Sequence, residues 1–248
     1  MIGSLGRGRR AVNIFARMHE NRANQTGPGS PVIQHEVNIH LNMDATMMAP
    51  RVAFQGELGA FSELAVRMRW PDEVSLVPCR TFDDTVHALL SGNAEFTVIP
   101  VENAIAGVVL AARAALDAVG EQLQYLGELL VPVHLCVMAP FGALLDGVRV
   151  VQSHQMALAQ CQRFFTQHPW LVAQVHDDTA GAARDVATAA DCTMAAIAAE
   201  AAATRYGLAI LARDIQDVSN NWTRFVVVQR APVNTITATE TAGRGLRG

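Results

Sequence analysis

The 248-residue sequence contains no lysine, and all 19 of its basic side chains are arginine. A catalytic lysine that forms a Schiff base with a carbonyl substrate or with pyridoxal phosphate is therefore excluded. The phosphate-binding loop G-x-x-x-x-G-K-[ST] is excluded as well, because its lysine contacts the phosphates. The absence of one residue type thus removes two large classes of enzyme.

Net positive charge and long apolar runs are also missing. The formal net charge is −4, so the sequence offers no basic face to a nucleic-acid backbone. Apolar stretches such as 129–136 and 195–203 are far shorter than the ~20 residues that cross a bilayer. We therefore expect neither a nucleic-acid partner nor a membrane-spanning helix.

The four cysteines are far apart, form no C-x-x-C pair and have apolar neighbours. This pattern is typical of buried small side chains in a reducing compartment, and it favours a cytoplasmic protein. A catalytic thiol is the alternative, with Cys161 closest to the polar motifs described below. His134 and His176 have no histidine partner at metal-ligand spacing, so we expect no bound metal.

The two ends of the chain differ in composition from the rest. Residues 1–49 are rich in arginine near the start and contain a Gly/Pro/Ser stretch, which predicts a disordered extension. A misassigned start is equally consistent, since Met47 or Met48 immediately precedes the first predicted strand; a transit peptide is a further alternative. Residues 231–248 are rich in Thr, Ala and Gly and predict a disordered tail.

Between residues 50 and 230, short apolar segments alternate with helix-like segments. Predicted strands lie at 51–55, 74–79, 96–101, 149–152, 172–176, 208–211 and 225–229. Predicted helices lie at 62–69, 82–90, 105–119, 154–167, 180–189 and 194–206, and a long extended segment spans 123–138. This alternation predicts an α/β fold with mainly parallel sheets in two lobes and a cleft between them. Lobe 1 would comprise about 50–128 plus 222–230, and lobe 2 about 129–221.

Polar residues gather where these strands end or begin. The clusters lie at 55–63, 100–107, 153–160, 177–181 and 220–224. Asn103 and Thr179 alone could be ordinary helix caps, but Thr223 and Arg224 precede a strand, so capping does not explain them. Neutral donors converging with helix N-termini predict a cleft that binds a small carboxylate. A Ser-His-Asp triad is disfavoured because no G-x-S-x-G turn is present.

These segments, in this order, resemble the catalytic domain of the prephenate dehydratase family. The family pattern is approximately G-P-x-G-[ST]-[YF]-S, P-x-E-N-[ST]-x-x-G-x-V, S-H-P-x-A-L-x-Q-C, D-T-A-x-A-A, A-A-I-A and N-x-T-R-F. The counterparts here lie at 56–62, 100–108, 153–161, 178–183, 195–198 and 221–225. The resemblance therefore extends over residues 51–229.

The resemblance implies a fold like that of the type II periplasmic-binding proteins, with the active site between the lobes. It implies prephenate as the substrate, no metal or organic cofactor, and a homodimer. The family's catalytic threonine corresponds to Thr223. The family's substrate-binding and site-lining positions correspond to Glu102, Asn103, Ser153, Gln160, Thr179, Arg224 and Phe225.

Departures from the family pattern keep other functions open. Ala104 replaces a hydroxyl residue, Glu57 replaces proline, and Gln155 and Met156 replace a usual Pro-x pair. The alternatives are an arogenate dehydratase, an enzyme acting on a modified prephenate, and a non-catalytic carboxylate-binding protein. An intact Thr223-Arg224-Phe225 argues against relatives that decarboxylate without forming an aromatic ring. Only 18 residues follow Arg230, so we expect no phenylalanine-binding ACT domain in this sequence.

Overall fold

The computed structural model describes residues 49–232. The predicted disordered segments at 1–49 and 231–248 lie almost entirely outside the described residues. All described residues belong to one compact unit, which contains two sheets and seven α-helices. Among these residues, no helix has the length and apolar character that crossing a membrane requires.

The strands and helices alternate along most of the chain. The strands are β1 Arg51–Gln55, β2 Ser75–Cys79, β3 Phe96–Asn103, β4 Gly107–Val108, β5 Leu123–Pro132, β6 Cys136–Ala139, β7 Val150–His154, β8 Val172–His176, β9 Met194–Ala198, β10 Ala209–Ala212 and β11 Trp222–Arg230. The helices are α1 Phe61–Arg69, α2 Phe82–Leu90, α3 Leu110–Val119, α4 Gln155–Ala159, α5 Gln162–Gln167, α6 Thr179–Ala189 and α7 Glu200–Tyr206.

Each lobe is built on one sheet. In lobe 1 the strand order is β2-β1-β3-β11-β5, with the two-residue β4 paired to β3. In lobe 2 the order is β10-β6-β9-β7-β8. The two-lobed α/β architecture predicted from the sequence is confirmed.

Apart from β4, one strand in each sheet runs opposite to all the others. In lobe 1 it is β11, which pairs antiparallel with β3 and β5; in lobe 2 it is β6, which pairs antiparallel with β9 and β10. Both strands follow a crossing between the lobes, at about residues 133–135 and 213–221. A chain that arrives from the other lobe enters the sheet where the neighbouring strands end, so it must run in the opposite direction.

The crossing segments lie side by side. The Val133 N–H donates to the carbonyl oxygen of Asn221 over 2.9 Å, which joins the two crossings near the cleft. Strand β5 continues to Pro132, so the chain leaves the first sheet a few residues after the expected boundary near 129. The lobes are therefore connected by two adjacent segments that are hydrogen-bonded to each other.

Each sheet is covered by buried apolar side chains on both faces. In lobe 1 one cluster contains Phe54 and Phe225, and another contains Ile99 and Leu116 on the opposite face. In lobe 2 the clusters on β6 and β9 are rich in alanine, which allows α6 to pack closely on the sheet. Burial of this apolar surface is the main favourable contribution to folding of both lobes.

A capping box precedes α2. The Asp84 N–H donates to Thr81 Oγ1 over 3.0 Å, and the Thr81 N–H donates to the Asp84 carboxylate over 3.2 Å. These two bonds satisfy backbone donors that have no partner inside the helix. The local sequence therefore fixes where α2 begins.

Two predicted helices begin or break differently. The helix expected over 105–119 begins at Leu110, because Gly107–Val108 pairs with the end of β3. The helix expected over 154–167 is divided into α4 and α5 at Gln160 and Cys161. The Asp217 carboxylate accepts the N–H groups of Gln162 and Arg163 over 2.8 and 2.9 Å, so it caps the second helix from a distant part of the chain.

The helix predicted over 194–206 is wrong in its first half. Met194–Ala198 is a buried strand between β6 and β7, and the helix begins only at Glu200. Alanine has the highest helix propensity of all residues, so the alanine-rich sequence indicates a helix throughout. Burial on both faces of a central strand prevails over that local preference.

Candidate active site

The ends of β3 and β11 that carry the predicted site residues lie beside the crossings between the lobes. In the antiparallel register Thr223 lies opposite Asn103, and Arg224 lies opposite Glu102. Beyond Arg224 the register shifts, so that Phe225 lies opposite Pro100 and Val101 is an extra residue on β3. This β-bulge lies directly beside the predicted catalytic threonine, as bulges near active sites commonly do.

The side-chain amide of Asn103 is held in one orientation. Its Oδ1 accepts the N–H groups of Ile105 and Ala106 over 3.0 and 2.9 Å. The Nδ2 group must therefore point the other way, where it donates to Thr223 Oγ1 over 3.0 Å and to the carbonyl oxygen of Trp222 over 3.0 Å. The two backbone N–H groups thus determine that the Nδ2 end of the amide faces Thr223.

Asn221 continues this hydrogen-bond chain into lobe 2. Its Oδ1 lies 3.1 Å from Asn103 Nδ2, whose two hydrogens are shared among Asn221, Thr223 and the Trp222 carbonyl oxygen, and its own Nδ2 donates to Gln160 Oε1 over 3.0 Å. Asn221 is only 3% exposed, so this alignment is protected from competing water. The Gln160 Nε2 group makes no hydrogen bond to another residue in the described part of the chain, and it is a donor available to a ligand.

The arrangement limits the hydrogen bonds that Thr223 can make. Its oxygen already accepts a hydrogen bond from Asn103, so its own proton is free to be donated to a second oxygen. The surrounding Asn103, Asn221 and Gln160 side chains are uncharged amides. The group can therefore donate hydrogen bonds to a small polar substrate without placing a formal charge beside it.

Arg224 lies on the opposite face of β11 from Thr223, since successive side chains in a strand alternate. Its guanidinium pairs with Glu102 over 2.7 Å and with Glu128 over 2.8 Å. The hydrogen bonds to Glu102 raise the pKa of Arg224 above its ordinary value. Arg224 and Glu102 are thus paired with each other, and they stabilise the strand that carries Thr223.

Three other residues singled out by the sequence lie differently. Ser153 is fully buried, and its hydroxyl donates to the carbonyl oxygen of Ile197 over 2.6 Å. Phe225 is 1% exposed and packs in the core of lobe 1. Thr179 begins α6, whose N-terminus is capped by Asp178 through the Gly181 N–H over 2.6 Å. Of the predicted set, the structure joins Thr223, Asn103 and Gln160 through Asn221.

The sequence reasoning did not place Asn221 among the site residues. Its signal was present, because Asn221 is the first residue of the N-x-T-R-F motif and precedes a strand, where capping does not account for it. The hydrogen-bond partners lie 118 and 61 positions away in the chain, so no local pattern could reveal them.

The burial of Cys161 disfavours the alternative of a catalytic thiol. Burial raises the pKa of the Cys161 thiol to about 12, which suppresses the reactive thiolate. Among residues 49–232, no three His, Cys, Asp or Glu side chains are grouped closely enough to hold a metal ion. The side chains that the hydrogen-bond chain joins are one hydroxyl, of Thr223, and three amides, of Asn103, Asn221 and Gln160.

Comparison with known proteins identifies the family of the chain. A sequence profile of the family described as "Prephenate dehydratase" matches residues 52–233. A relative named arogenate dehydratase/prephenate dehydratase 2, chloroplastic, from Arabidopsis thaliana is 39% identical, covering 90% of this chain and 61% of the relative. A protein from Komagataeibacter europaeus is named bifunctional N-acyl-homoserine lactone acylase/prephenate dehydratase. It is 37% identical, and the match covers 73% of this chain and 63% of that protein.

A solved structure also matches the described fold. The crystal structure of prephenate dehydratase from Arthrobacter aurescens in complex with L-Phe has a TM-score of 0.66 and 29% identity. The match covers 73% of this chain and 61% of that one. The chain thus spans less than two thirds of the length of each of these three proteins.

Proposed function

This chain belongs to the prephenate dehydratase family, and on that premise we propose that it converts prephenate to phenylpyruvate for phenylalanine biosynthesis. The observation that supports this most directly is the Asn103–Thr223 contact of 3.0 Å, which leaves the threonine proton free to be donated. Thr223 is the proposed catalytic residue. Asn103 and Gln160 are the proposed substrate-binding residues.

The reaction removes carbon dioxide and water from a cyclohexadiene. The bond between the ring and its carboxylate breaks, and the electron pair enters the ring, which becomes aromatic. The carbon–oxygen bond on the opposite ring carbon breaks at the same time, and the departing hydroxide takes a proton from Thr223 to form water. Solvent water returns the proton to Thr223. A positioned hydroxyl donor lowers the barrier because the leaving group departs as water.

Neutral amides suit the other half of the reaction. The reacting carboxylate loses its charge as carbon dioxide forms, so a strongly bound counterion would stabilise the substrate more than the transition state. Asn103 and Gln160 can orient the substrate through hydrogen bonds without that penalty. Arg224 has Glu102 and Glu128 as partners, which supports a role in holding the strand.

Arogenate is the alternative substrate, since the Arabidopsis relative's name includes it. Arogenate carries an ammonium group where prephenate has a keto oxygen. Glu102, the acidic side chain beside Asn103, is paired with Arg224 rather than free to bind an ammonium. This pairing favours the keto acid.

The N-acyl-homoserine lactone acylase activity in the name of the Komagataeibacter relative, which is hydrolysis of an amide bond, is not proposed for this chain. That reaction needs an activated nucleophile with access to substrate. The Ser153 hydroxyl is fully buried and bonded to a backbone carbonyl. Cys161 is equally buried, and its raised pKa of about 12 keeps it protonated.

The test is to incubate the purified chain separately with prephenate and with arogenate. Ultraviolet absorbance detects phenylpyruvate, and amino-acid chromatography detects phenylalanine. We expect prephenate to have the higher kcat/KM. A preference for arogenate would reassign the substrate, and binding of both without turnover would support the non-catalytic carboxylate-binding alternative. The homodimer and the cytoplasmic location stay predictions.

A further inference from the structure

The turn between β1 and α1, residues 56–60, reaches from lobe 1 to lobe 2. Its Glu57 carboxylate accepts a hydrogen bond from Arg184 Nη1 on α6 over 2.6 Å. The two side chains are 127 positions apart in the sequence and about equally exposed, 42% for Glu57 and 43% for Arg184. The pair therefore crosses the cleft between the lobes.

Two further contacts hold the same turn against α7. The Tyr206 hydroxyl donates to the carbonyl oxygen of Leu58 over 2.6 Å. Gly59 approaches so closely that an added Cβ would lie 2.9 Å from Ala202 Cα. Phe61, which follows the turn, packs against the buried clusters of both lobes. The turn is thus held by an ion pair, a hydrogen bond and close packing.

These contacts lie away from the covalent crossings. The crossings enter and leave the sheet of lobe 1 at β11 and β5, whereas the turn follows β1, which is separated from β11 by β3. Two adjacent crossing segments alone would act as a hinge about which the lobes could rotate. A contact between the lobes at a distance from this hinge restricts that rotation.

Arg184 is itself oriented by lobe 2. Its Nε donates to Asp185 over 3.0 Å, and Asp185 also accepts from His176 Nε2 over 3.0 Å. The guanidinium therefore presents its remaining donors towards Glu57.

We propose that Glu57 and Arg184 are positioning residues that hold the two lobes closed over Thr223 and Asn103. The closed arrangement brings Gln160 of lobe 2 within reach of Asn221 and of a substrate bound at Thr223. The proposed effect on the arrangement of the lobes follows from these contacts alone. The proposed effect on turnover rests on the dehydratase function proposed above.

The first experiment measures the lobes without substrate. Spin labels are attached at Cys192, which is exposed in lobe 2, and at His87→Cys, which is exposed in lobe 1. Cys79→Ala removes the half-buried cysteine of lobe 1, and the other two cysteines are buried. Double electron–electron resonance then gives the distribution of distances between the lobes, with and without Glu57→Gln.

A matched ion pair provides the control. Arg51 and Glu95 are 2.7 Å apart and 47% and 45% exposed, but both lie in lobe 1. Glu95→Gln removes a similar pair and should leave the interlobe distances unchanged. Glu57→Gln should shift the closed-to-open ratio about two- to fivefold towards longer distances, the range expected for an exposed pair. Exchange of the charges, Glu57→Arg with Arg184→Glu, should restore the original distribution.

Kinetics separate positioning from general stability. Glu57→Gln should raise KM for the better substrate, at most by the roughly two- to fivefold shift in the closed-to-open ratio, because only the closed fraction binds productively. The charge-exchange variant should recover it. Unchanged distances in Glu57→Gln, or an equal change in Glu95→Gln, would overturn the proposal. A wild-type chain that turns over neither substrate would overturn the dehydratase function, while the distances would still decide the role of the pair.

Discussion

Asn103 and Thr223 lie opposite each other on neighbouring antiparallel strands, and the Asn103 amide donates to the threonine oxygen over 3.0 Å. Because two backbone N–H groups fix the other end of this amide, the threonine can only accept on that side. Its proton is thereby directed away from Asn103. The predictions below follow from this contact and its neighbours.

Replacing Thr223 with alanine should lower kcat about 10²–10⁴-fold, the range of a positioned proton donor. Thr223→Ser keeps the hydroxyl and should retain most of the activity. Thr166→Ala is the control, since Thr166 is an exposed threonine bonded only within its own helix turn to the Gln162 carbonyl. Steady-state assays on the better substrate provide the measurement. An unchanged kcat in Thr223→Ala would exclude Thr223 as the donor.

Replacing Asn221 with alanine should separate Gln160 from Asn103. Each lost hydrogen bond is worth about 0.5–1.5 kcal/mol, so kcat/KM should fall roughly tenfold if both side chains lose their alignment. Asn221→Asp should raise KM further, because it places a negative charge beside an anionic substrate. Asn220→Ala, at the exposed neighbouring position, should behave like wild type. If Asn221→Ala has wild-type kinetics, the amide chain has no role in turnover.

Replacing Ser153 with alanine distinguishes a structural role from substrate contact. The buried hydroxyl bonds to the Ile197 carbonyl over 2.6 Å, so its loss should destabilise the protein by about 1–2 kcal/mol. We expect a lower melting temperature and nearly unchanged KM. A large rise in KM at full stability would instead mean that substrate reaches Ser153 after a rearrangement of lobe 2.

Replacing Gly59 with alanine should destabilise the contact between the lobes. Gly59 has φ +90, and its added Cβ would lie 2.9 Å from the backbone of Ala202. Gly92 has φ +79 with nothing within 4 Å, so Gly92→Ala reports backbone strain alone, about 1–2 kcal/mol. Chemical denaturation should show a larger loss for Gly59→Ala than for Gly92→Ala. Equal losses would show that the approach to α7 contributes nothing.

Thiol labelling should distinguish the cysteines by burial. Cys161 is fully buried, and desolvation raises its pKa to about 12, so the reactive thiolate is suppressed. Cys192 is exposed. Iodoacetamide followed by peptide mapping should modify Cys192 in the native protein and Cys161 only after unfolding. Fast native modification of Cys161 would reopen the catalytic-thiol alternative.

The sequence predicts elements whose signals are local. The helix at Phe82–Leu90, which begins with the capping box of Thr81 and Asp84, and the apolar strand at Arg51–Gln55 depend on neighbouring residues, and both are found where expected. The division between α4 and α5 depends on Asp217, which is 55 and 54 positions from the N–H groups it accepts. That division places Gln160 beside Asn221. The part of the fold that shapes the site is therefore the part with the least local signal.

Prediction of the candidate site from the sequence has the same limit, since contacts between distant residues have no local signal. Thr223, Asn103 and Gln160 were expected from the motifs, and the structure places them in one hydrogen-bonded group through Asn221. The motif could not show that Ser153 and Phe225 are buried, because burial depends on packing between distant strands. Nor could it show that Glu57 meets Arg184, since only the placement of the two lobes brings them together.

The position of β11 between β3 and β5 has a consequence for biogenesis. Translation produces both neighbours long before residues 222–230 leave the ribosome, so the nascent first lobe has a vacant place with unpaired backbone edges. Strand β11, which is synthesised after its two neighbours, fills that place and brings Thr223 into the sheet. A ribosome-bound chain stalled before residue 222 should therefore be both prone to aggregation and catalytically inert.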